Sequence, residues 1–491
     1  MPQKAIVIGA GLGGLSAASL LAVRGWEVSL FEKNSTPGGK MQQWQSGGYR
    51  FDTGPSLLTM PFIIEKLFRE CGYNYHDFLT LIEPTPLCRY FYKDGIIFDN
   101  DSDRNTSIRN IRQFAPEDAD AYSKFLDYSE DLYKKTADAF LFNPLNSAGD
   151  LKKLNWIDLL RIDAFSTVSQ KVDHTFSSTY LRKFFKRFTT YNGSSPFQAP
   201  ATLNVIPHVE LNQGGYYVQG GLYLIAEALL KLAQNLGAKI YFNEAVCSIK
   251  TDHKRVTAVE TRDGNRHQAD LIVANSDATD TLLNLLPHDA ISGFKRERQK
   301  NLEPSCSGFV LMLGCNRQWE QLKHHNIYFS DNYELEFRQI FRDRELPEDP
   351  TIYVANTSYS DRDHAPEGSS NLFILVNSPY LTDRQNWDNL SVSYRNHIIE
   401  KLEKRGLKGL RDSIEMEKTI TPVDFYKKYG SNRGSIYGTS SNSRFAAFLR
   451  PRNKLKEFEN LFLVGGSTHP GGGIPLVIQS AFNAMAILDR K

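Results

Sequence analysis

A glycine-rich turn near residue 10 constrains the fold more than any other feature of this sequence. Gly9-Ala10-Gly11-Leu12-Gly13-Gly14 has the spacing G-x-G-x-x-G, follows a short apolar strand predicted over residues 5–8 and opens a helix predicted over 13–24. A second strand, predicted over 28–31, ends at Glu32. A strand, a glycine turn, a helix and a strand that ends in an acidic residue form the βαβ unit typical of dinucleotide binding.

Each part of this unit has a physical role. Gly9 permits the tight turn, Gly11 lets the backbone approach a pyrophosphate, and Gly14 lets the helix pack on the strand. The phosphates would lie at the positive end of the helix dipole. The Glu32 carboxylate can accept hydrogen bonds from both ribose hydroxyls but would repel a 2′-phosphate, which favours an adenosine diphosphate ligand over NADP. The alternative is a structural glycine turn with a solvated glutamate.

Two further segments favour FAD over NAD. Gly38, Gly39 and Lys40 form a second glycine pair that lets the chain cross near a cofactor, followed by a lysine that can reach an anionic oxygen. Residues 460–481 read NLFLVGGSTHPGGGIPLVIQSA, which predicts a strand, a glycine loop and a helix start. Such a loop is a second cradle for the flavin end of an extended FAD. The alternative for Lys40 is an ordinary surface lysine. The alternative for residues 460–481 is a tight structural turn.

Composition argues against several classes of protein. Lys and Arg number 58 against 56 Asp and Glu, a net charge of +2, so we expect no nucleic-acid partner. The five cysteines have no C-x-x-C spacing and the histidines form no H-x-x-x-H pair, which predicts reduced thiols in the cytoplasm and no metal site. Residues 5–23 and 460–488 lack charged side chains, but glycine or proline interrupts both, so we expect neither a signal peptide nor a membrane span.

Changes in residue composition along the chain predict five segments. One FAD-binding domain is predicted to consist of three pieces, residues 1–85, 205–290 and 421–491. Residues 291–420 are interpreted as a substrate domain. In 86–204 glycine is scarce and charged and aromatic residues interleave, which predicts a separate, mainly helical segment for substrate and membrane. Its stretch 151–191 is the candidate membrane-facing surface. The alternative for 151–191 is an ordinary helical lid with solvated charges.

Hydrophobic periodicity predicts the remaining elements. The predicted strands lie at 239–242, 245–250, 271–274, 308–313, 372–376 and 461–464, and the predicted helices at 61–71, 222–236, 393–405 and 477–489.

Four stretches together carry a family resemblance: GAGLGGLSAA…FEKN…PGGK, GGYRFDTGPSLL, GGYYVQGGL and the terminal NLFLVGGSTHPGGGIPLVIQSA. With them, the chain resembles the bacterial-type carotenoid (phytoene) desaturases, which are FAD enzymes related to the amine oxidases. The resemblance runs from about residue 3 to residue 489. The stretches HHNIYFS and SYSDRDHAPEGSSNLFILVNSP are most similar to the 1-hydroxycarotenoid 3,4-desaturase branch.

The resemblance implies an α/β fold: a Rossmann-type FAD-binding domain of the amine-oxidase and phytoene-desaturase kind, an interleaved substrate domain and a helical membrane-facing insertion. It also implies a set of FAD contacts. These are Gly9, Gly11 and Gly14 at the pyrophosphate, Glu32 at the adenosine ribose, Lys40 at the ribityl phosphate, Ser56 and Leu57 along the flavin, Val246 at the adenine, Asn275 near the diphosphate, and Gly466, Gly473 and Ile474 at the ribityl chain and isoalloxazine. Gly466 departs from the family pattern, in which Ala or Asp is frequent.

The implied activity is carotenoid desaturation in carotenoid biosynthesis, in which a hydride passes to flavin and a proton is lost. The implied substrate is a lipophilic polyene, and the implied location is peripheral, on the inner face of the membrane. No catalytic residue is assigned: His469 is either a base or a hydrogen-bond partner of its own loop, and Asp52 is expected to fix the RFDTGPS turn. Phytoene desaturation, another amine-oxidase-type FAD oxidase and a non-catalytic lipid carrier remain alternatives, and oligomeric state is not predicted.

Overall fold

The structure is a computed structural model that describes residues 2–145, 162–443 and 450–490. The described strands are β1 (Lys4–Ile8), β2 (Glu27–Phe31), β3 (Gln43–Ser46), β4 (Tyr49–Asp52), β5 (Leu81–Ile82), β6 (Cys88–Phe91), β7 (Ile97–Asn100), β8 (Tyr217–Val218), β9 (Lys239–Tyr241), β10 (Val246–Asp252), β11 (Arg255–Thr261), β12 (Arg266–Gln268), β13 (Leu271–Ala274), β14 (Ser307–Cys315), β15 (His325–Tyr328), β16 (Ile352–Asn356), β17 (Ser370–Ser378), β18 (Ile414–Ile420) and β19 (Leu461–Leu463). The described α-helices longer than one turn are α1 (Leu12–Val23), α2 (Phe62–Glu70), α3 (Arg104–Ile111), α4 (Ala119–Ala137), α5 (Val168–Thr175), α6 (Thr179–Lys186), α7 (Leu224–Asn235), α8 (Gly293–Lys300), α9 (Tyr333–Arg338), α10 (Trp387–Lys404), α11 (Pro422–Tyr429) and α12 (Ile474–Leu488).

A parallel sheet of order β19-β13-β1-β2-β9 brings the two ends of the chain together. Strands β1, β13 and β19 are short apolar runs buried almost throughout, as expected for a parallel sheet covered by helices, whereas the edge strand β9 is largely exposed. Val7 of β1 pairs with Leu30 of β2 on one side and Val273 of β13 on the other. On its far side β13 pairs with β19, with Ala274 opposite Leu463. Helices α7 and α12 pack on α1 in one hydrophobic core.

The second large sheet has the order β18-β14-β17-β16-β15-β6-β7 and is antiparallel except where β15 pairs with β6. Side chains alternate along β14. Phe309 and Leu311 pack with helix α10 in one core, whereas Val310 and Met312 pack with Tyr49 and other residues in a different core. One face of this sheet is therefore covered by α10, and the other faces the interior of the molecule.

The predicted fold class is confirmed in its Rossmann-type domain and its interleaved second domain. The domain boundaries at residues 85, 204, 290 and 420 stay a prediction. One feature of 86–204 differs from expectation: this segment is not a separate helical unit, because β6 and β7 complete the edge of the seven-stranded sheet. Strand pairing with β15, far away in sequence, was not visible in the local pattern.

The described part of the basic-aromatic stretch packs inward. Phe184 and Phe185 of α6 are fully buried in an aromatic core. Lys171 forms an ion pair with Asp163 at 3.0 Å, and Lys186 forms one with Asp173 at 2.7 Å. These contacts favour a packed helical segment for residues 162–191, whereas 151–161 lie outside the described residues. A membrane-facing role for the stretch stays a prediction.

Within the described ranges, no helix has both the length and the apolar character needed to cross a bilayer.

We predict that Gly14→Ala destabilises the fold, because a Cβ at Gly14 would lie 2.0 Å from the carbonyl oxygen of Gly9. Relief of that clash must shift the turn between β1 and α1, which should cost about 1–3 kcal/mol of unfolding free energy. Gly293→Ala is the control, since nothing lies within 4 Å of a Cβ there, and should change stability by less than about 0.5 kcal/mol. Equal denaturation midpoints for the two variants would contradict this account.

Candidate functional site

One large cavity of about 1330 Å³ connects the parallel sheet to the inner face of the seven-stranded sheet. Its wall contains all but one of the residues expected to hold FAD: Gly9, Gly11, Glu32, Lys40, Ser56, Leu57, Val246, Asn275, Gly466, Gly473 and Ile474. Ligand cavities usually measure about 300–1,000 Å³, so this one has room for a dinucleotide and a second ligand. The individual FAD contacts stay predictions.

Gly14 is the exception, and its expected contact with the pyrophosphate stays a prediction. It is absent from the cavity wall, and its α-carbon faces the Gly9 carbonyl and the Asn275 side chain. Its role is therefore to let α1 approach the turn closely.

The Glu32 carboxylate is buried and ties the glycine turn to the end of β2. It accepts hydrogen bonds from Ala10 N at 2.7 Å, from Asn34 N at 2.9 Å and from Asn34 Nδ2 at 2.7 Å. A carboxylate offers about four acceptor positions, so one remains for a ribose hydroxyl. Asn34, which the sequence reasoning missed, fixes the orientation of the carboxylate from two residues away.

Asn275 lies where the first and last glycine loops meet. Its Nδ2 donates to the Gly9 carbonyl at 3.4 Å. A Cβ on Gly13 would lie 2.8 Å from Asn275 Oδ1 and 3.0 Å from Gly465 N, so the two loops touch directly. The tail loop therefore lies beside the first glycine turn, and the two ends of the chain border one cleft.

Lys40 is half-buried at the junction between the first segment and the last. Its Nζ donates to the carbonyl oxygens of Ser435 and Ile436, both at 3.1 Å. An ammonium has three donors, so one remains for an anionic oxygen. Burial lowers the pKa of Lys40 to about 8, while the nearby Asp277 carboxylate raises it. Asp277 itself has a raised pKa, because burial outweighs the opposing effect of Lys40.

The terminal glycine loop is held by hydrogen bonds to its own helix. Gly465 N donates to Ser480 Oγ of α12 at 2.8 Å, and Thr468 Oγ1 donates to the Gly465 carbonyl at 2.8 Å. At Gly466, a Cβ would meet the nearest atom at 3.4 Å, an ordinary contact. The space would therefore admit the alanine that is frequent in the family.

His469 bonds to the backbone of a distant segment, so neither its expected role as a base nor its expected bond to its own loop is shown. Its Nε2 lies 3.0 Å from the Asn143 carbonyl, which can only accept, so Nε2 carries the proton. Burial, opposed by the hydrogen bond to Asn143 and assisted by the Arg450 charge, lowers the pKa of His469 to about 4. We therefore leave the proton acceptor unassigned.

Asp52 fixes more than the turn in which it lies. It pairs with Arg50 at 2.9 Å and accepts hydrogen bonds from the backbone N–H groups of Leu222 and Tyr223, just before α7. A carboxylate at this position satisfies the first donors of the helix and complements its dipole. Its role is structural, as expected, but it also docks α7 against β4.

A buried charge pair lies in the cavity wall, and one member, Arg187, belongs to the stretch 151–191 that was the candidate membrane-facing surface. Arg187 and Glu210 are 6% and 1% exposed and form an ion pair, and the Tyr191 hydroxyl also donates to Glu210. Four aromatic rings surround the guanidinium, the nearest being Phe188, whose centroid lies 4.1 Å from Arg187 Cζ. Arg187 can be buried because a carboxylate from another part of the chain pairs with it. The residues around Arg187 in the sequence therefore do not indicate that it is buried.

Comparison with known proteins agrees with this geometry. The family model described as flavin containing amine oxidoreductase matches residues 12–487. A protein named 1-hydroxycarotenoid 3,4-desaturase from Flavobacterium sp. (strain P99-3) is 38% identical over 490 residues, which cover 98% of this chain and 97% of that protein. A protein named 4,4′-diaponeurosporene oxygenase from Staphylococcus haemolyticus (strain JCSC1435) is 37% identical over 482 residues, 97% of this chain and 95% of that protein.

Solved structures agree at the level of the fold. An oxidoreductase from Methanosarcina mazei superimposes with a TM-score of 0.66 at 17% identity, covering 98% of this chain and 100% of that one.

We predict that Glu32→Gln weakens FAD binding roughly tenfold to a hundredfold, the range expected for loss of hydrogen bonds to a buried charged group. The amide cannot accept a hydrogen bond at every position that the carboxylate uses, so both the turn and the ribose lose contacts. Titration of the apoprotein with FAD, followed by flavin fluorescence, measures the change. Glu27→Gln, on the same strand but paired with Lys239 at the surface, is the control. Unaltered affinity in Glu32→Gln would contradict the assignment.

We predict that FAD affinity falls as pH rises from 7 to 9. Lys40, with its pKa lowered to about 8, loses its charge in this window, whereas an unfolded lysine loses it near pH 10.4. The same titration at several pH values should show this fall in the wild type and a flat, weaker profile in Lys40→Met.

Lys239→Met, which removes an exposed lysine, should follow the wild-type profile. A pH dependence that persists in Lys40→Met would show that another group is responsible.

Proposed function

The chain belongs to the flavin-containing amine oxidoreductase family, and from this premise we propose that it is an FAD-dependent carotenoid desaturase acting on a 1-hydroxylated carotene. The family makes it an FAD oxidoreductase. The carotenoid substrate is proposed from the names of its relatives and from the character of the cavity.

The observation that carries the proposal is the apolar character of much of the cavity wall. Its wall includes Phe140, Leu141, Ile162, Leu203, Val205, Ile206, Val209, Ile327, Phe373 and Leu375. A large cavity with such a wall suits a polyene, because each apolar group removed from water contributes favourably and no polar partner is needed. A primary amine would instead call for a free carboxylate, and Glu210 is already engaged by Arg187 and Tyr191.

When bound, FAD supplies the acceptor for the hydride that leaves the substrate. The chain's own residues position the two reactants and exclude water. Gly9, Glu32 and Lys40 would hold the nucleotide, while the inner face of the seven-stranded sheet orients the polyene. A non-catalytic lipid carrier needs none of this nucleotide-binding machinery.

A second candidate function is oxygenation of a carotenoid end group. It is favoured by the Staphylococcus relative, whose name is that of an oxygenase and whose identity, 37%, is close to the 38% of the desaturase relative. The two functions differ in their products: desaturation removes two hydrogen atoms, whereas oxygenation adds oxygen.

We also propose that the enzyme works at the inner surface of the cytoplasmic membrane. The proposal rests on the substrate, which is insoluble in water and partitions into bilayers. The described basic residues of 162–191 give it little support, because Lys171 and Lys186 are ion-paired.

The test is incubation of the purified, FAD-loaded protein with liposomes that contain either a 1-hydroxylated carotene or phytoene. We expect the hydroxylated carotene to gain one conjugated double bond, seen as a red shift in absorbance and a product two hydrogen atoms lighter by mass spectrometry. Conversion of phytoene alone would refute the hydroxylated substrate. A product that gains oxygen would establish the second candidate in place of the first.

A further inference from the structure

Three side chains from distant parts of the sequence form a hydrogen-bonded row in the cavity wall. Ser56 Oγ lies 2.6 Å from the Tyr353 hydroxyl, which lies 2.7 Å from His325 Nδ1. All three residues border the cavity. Ser56 ends the RFDTGPS turn, Tyr353 lies on β16 and His325 opens β15, so the row joins the first segment to the seven-stranded sheet.

The row has a closed end and an open end. His325 is 3% exposed, and its Nε2 is buried with no hydrogen-bond partner among the described residues. Ser56 and Tyr353 are only half-buried, and they keep part of their surface toward the cavity. The Tyr353 hydroxyl already has two partners, so Ser56 Oγ is the end of the row that can bind a further group.

The row can carry its protons in either direction. If Ser56 donates to Tyr353 and Tyr353 donates to His325, the Ser56 oxygen faces the cavity as an acceptor. In the reverse order, His325 donates to Tyr353, Tyr353 donates to Ser56, and Ser56 has its own proton for a ligand. A hydroxyl group both donates and accepts, so it fits the open end in both cases.

The row is poorly suited to take up the proton that desaturation releases. Burial and, to a smaller extent, the charge of Arg187 lower the pKa of His325 to about 3. A base with so low a pKa gives little driving force for proton transfer near neutral pH. Burial also raises the pKa of Tyr353, so its phenol stays protonated. Both shifts leave the row neutral, as a binding element for a neutral polar group would be.

We propose that Ser56 and Tyr353, held in place by His325, form the subsite that binds the hydroxyl of the substrate and so determine its specificity. The inference rests on the proposed function. In the name of the Flavobacterium relative, the hydroxyl is on carbon 1 and the new double bond is at carbons 3 and 4, so the two are only a few bonds apart. Ser56 is also expected to run along the flavin, which would place the hydroxyl subsite beside the reacting carbons.

The test compares wild type, Tyr353→Phe and Ser56→Ala on two carotenes of the same chain, one with the 1-hydroxyl group and one without it. We expect the wild type to prefer the hydroxylated carotene by at least about tenfold in kcat/KM, because an unmatched polar subsite disfavours the analogue that lacks the hydroxyl. In Tyr353→Phe and Ser56→Ala the preference should fall to within about threefold, mainly through a higher KM for the hydroxylated carotene. Flavin absorbance reports cofactor content in every sample.

Tyr328→Phe is the matched control. Tyr328 lies on the same strand as His325, stacks on Phe91 with ring centroids 4.3 Å apart, and is absent from the cavity wall. Its hydroxyl has no partner among the described residues, so its loss should leave the preference at the wild-type value.

Two results would overturn the subsite: full wild-type preference in Tyr353→Phe, or an equal loss of activity on both carotenes at normal flavin content. Failure of the proposed function is distinguishable, because wild type with full flavin content would then convert neither carotene. Tyr353→Phe keeps the aromatic ring and Ser56→Ala keeps the backbone, so a folding defect in one variant leaves the other to decide.

Discussion

The contact between the first and last glycine loops is the constraint on which the rest of the structure depends. Strand β13 lies between β1 and β19, and Asn275, directly after β13, fills the space between Gly13 and Gly465. A larger residue at either glycine would push the loops apart. Because the loops meet, the two ends of the chain enclose one cleft, and the cavity continues from that cleft to the seven-stranded sheet.

Burial then determines the chemistry available in the cavity. Three charged groups in its wall are paired or bonded: Glu32 to the turn, Lys40 to two carbonyls, and Arg187 to Glu210. Breaking one such pair would leave an uncompensated buried charge, which is strongly destabilising. The histidines His325 and His469 are kept neutral by their lowered pKa values. The protein thus positions the reactants and excludes water from the cavity, and the flavin that defines the family is the electron acceptor.

The sequence could predict those parts of the fold that depend on local spacing. The turn at Gly9, the terminal loop and the strands beside them were all recognisable, because glycine spacing and apolar runs are short-range signals. Pairing of distant segments could not be read in the same way. The place of β6 and β7 at the sheet edge and the burial of Arg187 against Glu210 depend on partners far along the chain. Asp52 was recognised as structural, but its contact with α7 was not.

The most direct measurement of the central claim is hydrogen–deuterium exchange of the protein with and without FAD, resolved by peptide. If one extended cofactor bridges both loops, its removal should raise exchange together in the peptides that contain residues 9–14 and 465–474. The peptide that covers α10, on the far face of the seven-stranded sheet, should not change. A response confined to residues 9–14, with the tail loop equally protected in both states, would contradict the account.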